Sequence, residues 1–159
     1  MSDRTYSNSD WVTRRDFGAT DADSAAGTAL MNTHAGPQGY TVTSVSVFIY
    51  TSIVSPDNSV VVKARRLVDG SGTSGAVEIG SVTIPTGATQ GSVYRVNLDA
   101  DVAPGETVNV YLDTPAAGTG AAGSIEAVVE GYTWPHQATV NGVAKTTSGA
   151  IGKIFLVES

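Results

Sequence analysis

The sequence predicts an all-β protein, an antiparallel β-sandwich of jelly-roll or Ig-like topology with extended arms at both ends. Three observations carry that prediction. Short hydrophobic segments of period two recur between Tyr40 and Tyr132, Gly/Pro turns separate them, and no segment keeps helical periodicity over three turns. The organisation that follows is an N-terminal arm over 1–39 with a possible first strand, a sandwich domain over 40–134, and a C-terminal arm over 135–159 that ends in a strand.

Residues 1–39 are polar, with Asp3, Asp10, Asp16, Asp21 and Asp23 set among Arg4, Arg14 and Arg15. Trp11, Val12 and Phe17 are apolar anchors within this arm, and Ala29 with Met31 would share one face of a short strand at 28–32 before the Gly36-Pro37 break. In the next segment Val45, Val47 and Ile49 occupy one parity while Phe48 and Tyr50 occupy the other, which predicts a strand whose distal end is covered on both faces. After Pro56-Asp57-Asn58, Val60, Val62 and Ala64 point one way and Val61, Lys63 and Arg65 the other, as in a strand packed on one side with a basic outer face.

Between Ala76 and Ile84 the apolar phase changes from Val77 and Ile79 to Val82 and Ile84, and a β-bulge at Gly80 restores it. Strand 92–98 turns Tyr94, Val96 and Leu98 inward, strand 106–112 turns Val108, Val110 and Leu112 inward, and Pro104-Gly105 fits the centre of a type II turn between them. Strand 124–132 sets Ile125, Ala127 and Val129 against Glu126 and Glu130, and Trp134-Pro135 ends it. The closing run Ile151 to Val157 is apolar enough to need a sheet edge, in its own subunit or a neighbour's.

Composition narrows the function classes. At 159 residues the chain is the size of one domain, and a net charge of −6 disfavours a nucleic-acid groove or a polybasic membrane patch as the main partner surface. With no cysteine there is no disulfide or thiolate metal framework. Neither an apolar leader nor a run of eighteen apolar residues is present, so the expectation is a protein that works where it is made or leaves by cell lysis.

Candidate chemistry is sparse. Gly70 to Gly75 matches G-x-G-x-x-G, but that pattern cradles phosphate only where a helix starts at the loop, and here a strand follows. Asp99, Asp101 and Glu106 offer oxygen ligands to calcium, or simply build a solvated turn. His34 and His136 lie in the arms, where nothing holds a general base rigidly, and no Gly-x-Ser-x-Gly elbow occurs. The expectation is therefore no catalytic residue, no cofactor and no metal. Lys63, Arg65 and Arg66, with Arg95 on a neighbouring strand, form a basic group that suits either contact with an acidic partner or protection of a sheet edge. Trp134, Tyr132 and Tyr111 could form an aromatic platform for a sugar, cap the core or fill an interface.

The stretch Val45 to Thr114, with VSVFIYTS, VVVKARRLVDGSG, IGSVTIPTGATQGSVYRVNL and DVAPGETVNVYLDT, resembles β-sandwich structural proteins of tailed bacteriophages, capsid decoration (cement) proteins in particular. The likeness covers under half the chain and lies in strand and turn style, so no family site residue is carried over. It implies a homotrimer on the capsid exterior, made in the host cytoplasm, whose arms bind the major capsid protein and neighbouring copies across subunit boundaries. The residues expected to make those contacts are Arg4, Trp11, Arg14, Arg15 and Phe17 in the first arm, Lys63, Arg65 and Arg66 on the basic face, and Ile154, Phe155 and Leu156 in the last strand. The competing reading is a carbohydrate- or receptor-binding sandwich of a virion fibre.

Overall fold

A computed structural model describes residues 3–6, 12–55, 57–68, 73, 75–134, 138–140, 143–145 and 154–157, with residue 12 and the short strands at the two chain ends described as backbone alone. In chain order the strands are β1 (Asp3–Tyr6), β2 (Val12–Asp21), β3 (Ala29–His34), β4 (Tyr40–Val54), β5 (Val60–Leu67) and β6 (Val77–Ile84). They continue with β7 (Val93–Val102), β8 (Thr107–Thr114), β9 (Ala122–Thr133), β10 (Ala138–Val140), β11 (Val143–Lys145) and β12 (Ile154–Val157). Among the described residues no helix is long and apolar enough to cross a membrane.

Eight of these strands make two four-stranded sheets, ordered β2-β9-β4-β7 and β3-β8-β5-β6. The pairings nest: β2 with β9, β3 with β8, β4 with β7 and β5 with β6, all antiparallel. A chain paired in this way is one long hairpin folded over on itself, with its ends outermost and its turn between β5 and β6. That order is the jelly roll. An Ig-like sandwich would group its strands differently, so the strand order decides between the two predicted topologies.

Period two explains why the sheets stack. Val42, Val45, Val47, Ile49, Ile125, Ala127 and Val129 from one sheet meet Val60, Val62, Val82, Ile84, Val108, Val110 and Leu112 from the other in a continuous buried core. Burying a side chain of this size contributes about 1.5–3 kcal/mol each relative to exposure, which is what holds the layers together. The predicted irregularities appear where expected. The β5/β6 register shifts between Ala64 and Arg65, opposite Gly80 and Glu78, and the Gly80 position lies so close to Leu98 that an added Cβ would come within 2.8 Å of its side chain. Gly105 has φ +84° and the Glu106 N–H donates to the Ala103 carbonyl at 3.1 Å, as a type II turn requires.

The first arm differs from expectation. Val12–Asp21 is the edge strand of one sheet and Ala29–His34 the edge strand of the other, so most of 12–39 belongs to the sandwich. The inward positions of β2 are Arg14, Asp16, Gly18 and Thr20 rather than an apolar row. Gly18 is required there, because a Cβ would lie 2.1 Å from the Leu30 carbonyl oxygen of β3. Arg14 stacks over the Tyr40 ring at 5.0 Å, pairs with Asp16 at 2.8 Å and donates to the His34 carbonyl at 2.6 Å. Tyr40 beneath it is fully buried, and burial pushes its phenol far above the ordinary tyrosine value. At the chain ends, Ile154–Val157 pairs antiparallel with Asp3–Tyr6 of its own chain.

Candidate functional site

The two sheets turn very different faces outward. On the β3-β8-β5-β6 face every described charge is matched. Lys63 of β5 bridges Asp113 at 3.3 Å and Glu78 at 3.5 Å, and the Asp113 hydrogen bond above all raises its pKa. Arg65 lies 4.1 Å over the Tyr111 ring and donates to Asn109 Oδ1 at 2.8 Å. Asn109 in turn donates to Asn32 Oδ1 at 2.9 Å, and His34 Nδ1 lies 2.7 Å from Thr107 Oγ1.

The predicted basic group is therefore not one patch. Lys63 and Arg65 point outward, while Arg66 alternates to the other side, where it donates to the Asp101 carbonyl at 3.0 Å and lies 3.5 Å from Glu106. Arg95 is on the opposite sheet. Edge protection does not describe them either, since β5 runs between β8 and β6 in the interior of its sheet.

The outer face of β2-β9-β4-β7 has two halves. One is an ion cluster: Glu130 accepts from Arg15 Nε at 2.9 Å and from Ser44 Oγ at 3.1 Å, and Arg95 lies 3.3 Å away. The Arg15 hydrogen bond, with help from Ser44 and Arg95 and against partial burial, holds the Glu130 carboxyl below its ordinary range. The other half is apolar. Phe17 of β2 sits opposite Val128 of β9, and Glu126 of β9 sits between Ala19 of β2 and Phe48 of β4. Tyr50 follows Phe48 on the same side of β4, and a groove of about 440 Å³ runs among Phe17, Phe48, Tyr50, Val128, Glu126 and Arg15, with Gln90 and Gly91 also lining it.

Phe17 is 59% exposed, Phe48 37% and Tyr50 67%, with Val93 and Val54 also exposed nearby on β7 and β4. Taking about 200 Å² for each aromatic side chain, the three residues together leave roughly 300 Å² exposed, within the range of the largest apolar patch on an ordinary monomer, a patch that is often functional. The distal end of β4 is thus covered on its inner side only, where sequence parity predicts cover on both.

Of the residues expected to contact partners, the structure brings Arg15 and Phe17 into this groove. Arg14 turns inward, Arg4 lies in β1, and Ile154, Phe155 and Leu156 lie in β12; Trp11 is outside the described residues. The groove adds Phe48, Tyr50 and Glu126, whose sequence signal was the off-parity pair of aromatics in a strand with its core parity already filled.

The other candidates resolve into local roles. Tyr111 stacks under Arg65 on the far sheet, so it shares no platform with Trp134, whose indole N–H donates to Thr41 Oγ1 at 2.9 Å while its ring covers Gly39. Asp101 accepts from Thr41 Oγ1 at 2.7 Å, and Glu106 accepts the Ala103 N–H at 2.8 Å. Among the described residues no three His, Asp or Glu side chains converge as a metal site. His136 and most of the Gly70 to Gly75 loop lie outside the described residues.

No protein-family model matches the chain, and no curated protein matches it. Among solved structures, a chain from the structure of infectious bursal disease virus Gx strain is similar over 83% of this chain and 36% of its own length, at 10% identity and a TM-score of 0.31. The chain therefore spans about a third of that protein, and a likeness of that degree carries no argument about function.

Proposed function

We propose that the protein is a non-enzymatic virion structural protein, a capsid decoration protein that binds the major capsid protein across subunit boundaries and stabilises the shell from outside. The observation that carries a binding role is the uncovered aromatic half of the β2-β9-β4-β7 outer face. The largest exposed apolar patch of a monomer is often its docking site, and this one sits on a sheet rather than on a loop. The assignment to a virion rests on the phage-like strand and turn style of Val45 to Thr114 and, as a fold-level analogy, on the use of jelly rolls in viral capsids.

In this reading the protein acts as a homotrimer, and multivalency does the stabilising. Three copies of a modest contact engage neighbouring capsid subunits together, and tethering raises avidity by about 10²–10⁴ over one contact. The test compares decorated with undecorated capsids. Decorated shells should rupture at higher temperature, and Phe17→Ser/Phe48→Ser/Tyr50→Ser protein should fold yet fail to bind. Equal stability of the two shells would contradict the proposal. Specific retention on a glycan array, lost in the same triple variant, would favour the fibre reading instead.

A further inference from the structure

Glu126 is the unusual member of the groove. It is half-buried, its neighbours across the strands are Ala19 and Phe48, and Phe17 and Tyr50 line the same groove around it. Among the described residues it has neither an ion pair nor a hydrogen bond. Its neighbour on β9, Glu130, holds Arg15 and lies beside Arg95, so both cations of this face are already engaged. The other cations whose side chains are described are also engaged, Arg14 with Asp16, Lys63 with Asp113 and Glu78, Arg65 with Tyr111 and Asn109, and Arg66 with Asp101 and Glu106.

A carboxylate that shares a groove with Phe17, Phe48 and Tyr50 suits one kind of visitor. A cation gains from the carboxylate by direct attraction and from the rings by their quadrupoles, while an anion is repelled by both and a neutral apolar group leaves the carboxylate desolvated and unpaired. Arg15, 6.0 Å over the Phe17 ring, is already neutralised by Glu130 at 2.9 Å, so the uncompensated charge in the groove is that of Glu126, beside Phe48. We infer that the Phe17/Phe48/Tyr50 groove takes a lysine or arginine side chain of a partner protein, flanked by apolar residues, with Glu126 as its counter-ion.

The inference rests on the reading of this face as a docking surface, and goes beyond it by naming the chemistry of the occupant. A second copy of the chain is the less fitting guest, since the cations whose side chains are described are matched at home and both copies would carry a net charge of −6. The same like-charge repulsion is absent for a basic partner segment, whose approach the negative field of the chain accelerates.

The test uses the full chain and capped tripeptides as probes, leucine-lysine-leucine and leucine-arginine-leucine against neutral leucine-glutamine-leucine, with binding followed through backbone amide shifts. The cationic peptides should shift the amides of Phe17, Phe48, Tyr50 and Glu126 saturably. Affinity for the neutral peptide should be weaker by about fivefold or more, the size of one exposed charge contact reinforced by aromatic faces. Glu126→Gln should remove that preference, and in the unmodified chain high salt should reduce it, a readout that needs no variant to fold. Equal binding of the neutral peptide would overturn the inference. So would shifts produced by oligosaccharides but not by the peptides, or shifts that depend on protein concentration alone, which would assign the groove to a glycan or a second copy. If the triple serine variant loses capsid binding while the cationic peptides stay silent, the docking face stands and its cationic occupant does not.

Discussion

The outer faces of the two sheets are built on the same four-stranded antiparallel frame and end in opposite chemistry. On β3-β8-β5-β6 the outward positions carry Lys63, Arg65, Asn109, Tyr111 and Asp113, and each of them has a partner on the next strand. On β2-β9-β4-β7 the outward positions carry Arg15, Glu130 and Arg95 at one end and Phe17, Val128, Phe48 and Tyr50 at the other. A face whose polar groups are already satisfied gains little from a new neighbour, because any contact must first break internal bonds. A face of exposed aromatics gains by being covered. The fold sets which residues point outward, and the residue types at those positions set whether the face is closed or open to partners.

Four substitutions probe this contrast, in falling order of expected cost to stability. Leu112 is fully buried between the sheets, and Leu112→Ala should cost about 2–5 kcal/mol in chemical denaturation, the range for a large-to-small change in a core shared by both faces. Arg65→Ala on the closed face should cost about 1 kcal/mol, from the loss of its stacking on Tyr111 and its bond to Asn109. A cost near zero would mean the closed face is no better knit than the open one.

Glu130→Gln tests the ionic half of the open face through its pH dependence. The folded-state pKa of Glu130 is depressed below its ordinary value of 4.5, so its contribution to stability is present above that value and is lost as pH falls through the lower folded one. The wild-type advantage over Glu130→Gln should therefore be steady near neutrality and fade as the solution is acidified below 4.5. A gap that stays constant down to the acid transition would contradict the ion cluster. Tyr50→Ser, at the exposed end of the groove, should change stability least, within about 0.5 kcal/mol in either direction, while still weakening partner binding. A large stability loss would mean that Tyr50 serves the fold rather than the surface.

Much of this architecture is legible in the sequence where apolar residues alternate. Strands β4 to β9 follow the parity of Val45, Val62, Val82, Val96, Val110 and Val129, and the irregularities at Gly80 and Gly105 follow from a phase change and a Pro-Gly pair. Strand β2 is illegible for a physical reason. Its inward side chains are Arg14, Asp16 and Thr20, and Arg14 is held by a stack on Tyr40, a bond across to the His34 carbonyl of β3 and a pair with Asp16, none of which a local pattern announces. The nested pairing is equally hidden, because it joins residues as distant as Arg15 and Glu130, and period two says which face a residue takes but not which strand lies beside it.

The site is half legible on the same grounds. Phe48 and Tyr50 stand out as aromatics on the wrong parity for the core, and Phe17 as an aromatic in a polar segment. That these three meet around Glu126 depends on β2 and β4 both flanking β9, which is a property of the topology alone. The basic group failed as a patch because a one-residue step in β5 sends Arg66 to the opposite side of the sheet from Arg65, and because Arg95 belongs to the other layer.

The most direct measurement is hydroxyl-radical footprinting of the protein free and bound to capsids, read at two tyrosines on opposite faces. Tyr50, 67% exposed in the free chain, should become strongly protected on binding, together with Phe17 and Phe48, while Tyr111 under Arg65 keeps its reactivity. Protection of Tyr111 with Tyr50 unchanged would contradict the account, because it would place the partner on the face whose charges are already matched.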